Sequence, residues 1–179
     1  MKELIKSKWN LKIDSNSYSE YREAVIDLVN EPIVRSMEKF IQHSDISCFS
    51  HCINVSYYSY IICDFLGFDY RSAARGGLLH DFFLYDWHIS KPQNGMHGFT
   101  HPHKALENSN KYFILNDIEK DIIEKHMWPL TLKLPKYKEA FIVSLVDKYC
   151  AFMESIRLNN REKLSSIEEY LARLDDQSI

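Results

Sequence analysis

Glycine and proline are scarce in this chain. Only five of each occur in 179 residues, and no repeat or low-complexity tract breaks the sequence. These residues make the turns that β-hairpins and barrels need, and hairpin signals are few. Apolar residues instead recur at helical spacing. The periodicity predicts helices over about 18–30, 32–43, 46–66, 70–84, 102–115, 117–127, 136–158 and 164–175. Asp69 is placed to cap the fourth of these, and Asn116 with Glu119 three residues on is close to a capping box. The segment "ISKPQNGMHGFTHP", with two Gly and two Pro, is expected to be the longest internal loop. The expected fold is all-α, a single-domain helical bundle spanning 1–179.

Hydrophobic residues make up 45% of the chain, enough for one sizeable core. Twenty-two Lys and Arg against 25 Asp and Glu give a net charge of −3 with no basic tract. A nucleic-acid polymer is therefore not an expected partner. No Lys or Arg lies between Lys39 and Arg71, but that window holds Asp45, His51, Asn54, Asp64 and many serines, too polar for a spanning helix. Cys48, Cys52, Cys63 and Cys150 form no CxxC pair and read as buried free thiols in a reducing, cytoplasmic setting.

Within "GGLLHDFFLYDWH", His80 and Asp81 interrupt an apolar run. His80 shares a stripe with Ala73, Gly77 and Leu84, where small residues would admit a neighbouring helix. His51 shares one with Val55, Tyr58, Ile62 and Leu66, which predicts that it faces inward. His126 follows Ile122 and Ile123 at a helix end, and Asp147 lies within the apolar "FIVSLVDKYCAF". Taken singly, each reads as a hydrogen-bonded core residue. Three inward His and two inward Asp on four helices, however, would be costly if unpaired. A divalent cation makes them compatible, with imidazole donating nitrogen and aspartate offsetting charge.

In chain order, His51, His80-Asp81 and Asp147 resemble the H…HD…D signature of the HD-domain phosphohydrolase superfamily. The resemblance extends over "FSHCINVSYYSYIICDFLGFDYRSAARGGLLHDF", "FTHPHKALEN", "IIEKHMWP" and "LVDKYCAF", about residues 40–155. It implies an HD-type helical core and a first metal held by His51, His80, Asp81 and Asp147. Asp81 would bridge to a second ion held by His101 and His126. Four neutral imidazoles and two carboxylates around two divalent ions leave about +2, which attracts phosphate. His101 is chosen over His103 on the His-Pro step; His103 is expected to face substrate or solvent. His97 is a further candidate for contact with substrate, though a solvated loop residue is the simpler reading for it and for His88. His43 reads as a surface residue.

Lys148 is a candidate phosphate contact or catalytic group, weighed equally against a solvated lysine. Asp86 is a candidate proton acceptor or, preferably, a support for a metal-bound His. The nitrogen and oxygen donors suit iron or manganese first, with cobalt, nickel or zinc as alternatives. The implied activity is hydrolysis of a small, nucleotide-like phosphomonoester or phosphodiester through one or two ions. A nucleotide-binding regulator with little turnover and a di-iron oxygenase are the alternatives. The sequence departs from many HD proteins in following the motif with Phe82-Phe83-Leu84 rather than Gly-Lys, and it lacks a Gly-Tyr-Pro segment.

Overall fold

The computed structural model describes residues 15–43, 45–86, 97–156, 165, 167–169 and 171. Helices dominate: α1 (Ser15–Val29), the short α2 (Pro32–Arg35), α3 (Cys48–Leu66), α4 (Tyr70–Leu79), α5 (His97–Tyr112), α6 (Asp117–Lys125) and α7 (Lys138–Ser155). Among the described residues the sheet is a single antiparallel pair, β1 (Ile41–His43) with β2 (Ile46–Ser47), in register Ile41 to Ser47 and His43 to Ile46. The all-α expectation holds, and no described helix is long and apolar enough to cross a membrane.

Local chemistry sets the helix starts. Ser47 caps α3 by accepting from the Ser50 amide at 3.1 Å, and Asp69 caps α4 by accepting from the Ser72 amide at 2.9 Å. Asn116 and Glu119 form a reciprocal capping box on α6. Gly67 closes α3 with φ +69°, a left-handed geometry that an L side chain resists.

Helix α4 is central. It packs on α3, α6 and α1. The Gly76-Gly77 pair makes this possible. A Cβ on Gly77 would stand 3.0 Å from the Ser56 Cα of α3, and one on Gly76 would meet Ile122 of α6 at 2.7 Å. Arg75 ties the same elements together through Asp27 (2.6 Å) and Glu119 (3.1 Å). One apolar cluster joins α1, α3 and α4 through Tyr21, Leu28, Ile53 and Leu78, with Ile167 and Leu171 buried in it. A second joins α3, α4, α6 and α7 through Val55, Ala73, Ile122 and Val143. All four cysteines are buried and unpaired, as expected.

Several expected boundaries are corrected. The helix expected over 32–43 is one turn of α2 and a 3-10 turn (Ser36–Lys39); the chain then becomes extended at Phe40 and enters β1. The β-branched Ile41 and Ile46 flanking a turn form a hairpin, which the helical count absorbed. The helix expected over 70–84 ends at Leu79, where His80 turns its ring back onto the Gly77 carbonyl; farther on, Leu84 has φ +59°, which is not helical. The loop expected over 89–102 is partly helix, since α5 begins at His97 and carries Pro102 inside it. A proline in the second turn removes one backbone bond, and here the helix tolerates it. On α3, Ile62 and Leu66 are 37% and 45% exposed rather than inward. The helix is apolar on several faces, so the stripe through His51 is not the only one that packs. The helix expected over 164–175 and the loop positions 87–96, His88 among them, fall largely outside the described residues.

Candidate metal centre

The ligand-bearing helix ends lie together. His51 sits on the first turn of α3, His80 caps the end of α4, Asp81 follows it, His101 is near the start of α5, His126 caps the end of α6, and Asp147 is in the middle of α7. All six are buried. Their atoms fall into three overlapping groups, His51–His80–Asp81, His80–His126–Asp147 and Asp81–His101–His126, each within 4.8 Å.

Hydrogen bonds at Nδ1 orient the rings of His51, His80 and His126. His80 Nδ1 donates to the Gly77 carbonyl at 2.7 Å, and His126 Nδ1 donates to the Ile123 carbonyl at 2.9 Å. A carbonyl only accepts, so in each neutral ring the proton is on Nδ1 and Nε2 presents a lone pair. His51 Nδ1 lies 2.8 Å from Glu154 Oε2, and Asn54 Nδ2 holds the other oxygen at 3.3 Å. His51 Nε2 is thereby left toward Asp147 Oδ1 at 3.2 Å.

The inward-facing atoms meet one another. His80 Nε2 stands 3.4 Å from Asp81 Oδ2 and 3.5 Å from Asp147 Oδ1. Asp81 Oδ1 stands 3.2 Å from His101 Nε2 and 3.5 Å from His126 Nε2, and those two nitrogens share a hydrogen bond of 2.8 Å in which neutral His126, protonated on Nδ1, accepts from His101. Among the described residues, His80 Nε2 and Asp81 Oδ1 are buried without a hydrogen-bond partner. Each such orphan costs about 1–3 kcal/mol. A divalent cation would satisfy both at once, so four imidazoles and two carboxylates fit a transition-metal ion in their donor chemistry as well as their placement.

Without a cation the cluster polarises itself. Burial opposes charge on His51, but the bonds to Asp147 and Glu154 outweigh it and hold the imidazole well above its usual range. Burial is likewise overcome at His80, chiefly by Asp81. His126 goes the other way, pulled down to about 3 by burial and then by His80 and His101. Burial would raise Asp81 and Asp147, yet the neighbouring imidazoles keep both below the ordinary carboxylate range.

Of the remaining candidates, His103 is exposed on α5, which leaves His101 as the residue at the cluster. His97 is the first residue of α5, but its side chain lies outside the described part, as does that of His43. Asp86 is partly exposed beyond the bend at Tyr85 and is not among the converging ligand atoms. Lys148 donates to the His126 carbonyl at 2.7 Å and lies 3.7 Å from Asp147 Oδ2. Burial lowers its pKa. Ser144 Oγ reaches the same His126 carbonyl at 2.7 Å, so α7 braces the backbone that carries His126.

Two residues at the site were not anticipated from the sequence. Gln42 on β1 bonds to Asp81, and Glu154 on α7 bonds to His51. Glu154 follows Asp147 by seven residues, two helical turns, so the shared face could have been read from spacing. No local signal marks Gln42.

Comparison of the chain with protein-family models, with curated proteins and with solved structures returns no match. The fold and the cluster therefore stand by themselves, as an all-α protein with buried His and Asp groups able to hold a metal ion.

Proposed function

We propose that this chain is a metal-dependent phosphohydrolase of the HD-domain type, acting on a small, nucleotide-like phosphomonoester or phosphodiester. One observation carries the reading. Asp81 belongs both to a group with His51 and His80 and to a group with His101 and His126. A carboxylate has two oxygens and can serve two ions. When bound, divalent ions supply Lewis acidity at a phosphoryl oxygen and lower the pKa of a coordinated water.

The side chains supply the rest. His51, His80, Asp81 and Asp147 would hold one ion, and Asp81, His101 and His126 would hold the other. Asp81 and Asp147, with Glu154 behind His51, do not cancel two divalent ions, so the loaded pocket would stay positive and favour anions. Glu154, Gly77 O and Ile123 O keep three imidazoles in the tautomer that offers Nε2 inward. Lys148 and Ser144 hold the His126 backbone. Iron or manganese is the proposed metal.

The test is elemental analysis of protein purified without chelator, followed by a phosphomonoester, phosphodiester and nucleotide panel with manganese, iron, cobalt or nickel. Metal in the wild type, phosphate or nucleoside monophosphate release, and loss of both metal and turnover in Asp81→Asn support the reading. Protein that binds no metal, or Asp81→Asn with full activity, overturns it.

A further inference from the structure

The hairpin brings into the site a residue whose two ends do different things. Gln42, in the middle of β1, is 7% exposed, and its Nε2 donates to Asp81 Oδ2. An ionised carboxylate only accepts, so the nitrogen side of the amide must face Asp81. The carbonyl Oε1 is buried and, among the described residues, has no hydrogen-bond partner. With His80 Nε2 and Asp81 Oδ1 it is one of three orphaned polar atoms on residues at this one place. An apolar side chain of the same length would fill that space without burying an unsatisfied carbonyl.

The bond makes the oxygens of Asp81 unequal. Oδ2 accepts from Gln42 and lies 3.4 Å from His80 Nε2. Oδ1 accepts from no such amide among the described residues and lies 3.2 and 3.5 Å from His101 Nε2 and His126 Nε2. The terminal torsion of an aspartate is broad and roughly two-fold, so its neighbours decide where each oxygen points. Among the described residues, the side-chain amide that does so here is that of Gln42.

The geometry points to Gln42 as a positioning residue that divides Asp81 between two metal subsites, Oδ2 to the His51–His80 side and Oδ1 to the His101–His126 side. This rests on the metal reading above and deepens it. Without the amide the carboxylate is free to turn and to give both oxygens to one ion. The first subsite keeps His51, His80 and Asp147, whereas the second loses a fixed ligand and is left with His101 and His126.

The test is titration of metal-free protein with Mn²⁺, followed by calorimetry and electron paramagnetic resonance. It compares wild type with Gln42→Met, which matches the length without a donor, and Gln42→Asn, which keeps an amide too short to reach. Wild type is expected to bind two ions with a spin-coupled pair signal. Both variants should bind the first ion nearly as wild type does. Both should bind the second about 10-fold or more weakly, with the coupled signal lost. Asparagine serves as the arm if the methionine variant does not fold. Two ions at wild-type affinity in the variants would overturn the role of Gln42 and leave the metal reading intact. Equal loss of both ions would show a general structural part and also overturn it. No Mn²⁺ binding by wild type would overturn the metal reading itself.

Discussion

His51, on the first turn of α3, and Glu154, near the end of α7, share a buried hydrogen bond of 2.8 Å across 103 positions of chain. The carboxylate holds the imidazole so that Nε2 faces the cluster, and Asn54 holds the carboxylate. Glu154→Gln keeps an acceptor but removes the charge that makes the ring a stronger donor to metal. First-site affinity should fall about 10- to 100-fold with little change in helical content, as read by metal titration and circular dichroism. Unchanged affinity would reduce Glu154 to a packing residue.

His126→Ala should separate the two subsites. It removes a ligand of the Asp81–His101–His126 and His80–His126–Asp147 groups while leaving the His51–His80–Asp81 group whole. Turnover on a phosphoester should therefore fall more steeply than the content of the first ion, measured on the same preparation. Parallel loss would place His126 with the first ion.

Gly77→Ala should lower stability although alanine is the better helix former by about 1 kcal/mol. The new methyl meets the backbone of Ser56, at 3.0 Å from Cα and 3.2 Å from N, and two packed helices cannot yield as a side-chain tip can. The expected net loss is about 1–3 kcal/mol by urea unfolding. A stabilised variant would mean that α3 and α4 separate easily.

Glu119 is 3% exposed, and burial raises its pKa above the ordinary 4.5 despite the Asn116 amide and Arg75. A raised folded-state pKa means that the folded chain binds the proton more tightly than the unfolded chain. This contribution to stability is complete below about pH 4.5 and is lost as pH rises through the folded value. Metal-free Glu119→Gln should lack that slope when denaturation midpoints are followed from pH 4 upward. Identical slopes in the two proteins would show that Glu119 titrates as it does in the unfolded chain.

Much of this was readable locally. The caps at Asp69 and Asn116 depend on neighbours three residues away, and so they appear where the sequence places them. Gly77 announced a close approach because only a missing Cβ permits one. His51, His80-Asp81 and Asp147 stood out because each breaks an apolar run. The hairpin was missed because Ile41 and Ile46 also fit a helical count, and their pairing is decided between strands. The end of α4 was missed because a side chain, His80, takes the Gly77 carbonyl.

The sequence by itself determined the helical class, the caps at Asp69 and Asn116 and the His and Asp residues that break apolar runs, since these follow from side-chain type and short-range spacing. Only the tertiary structure decided which atoms of those residues meet. Gln42 and Glu154 are ordinary polar residues until Asp81 and His51, 39 and 103 positions away, are brought against them. The two oxygens of Asp81 become different only in that enclosure, because an amide from one side and imidazoles from the other reach them through space rather than along the chain.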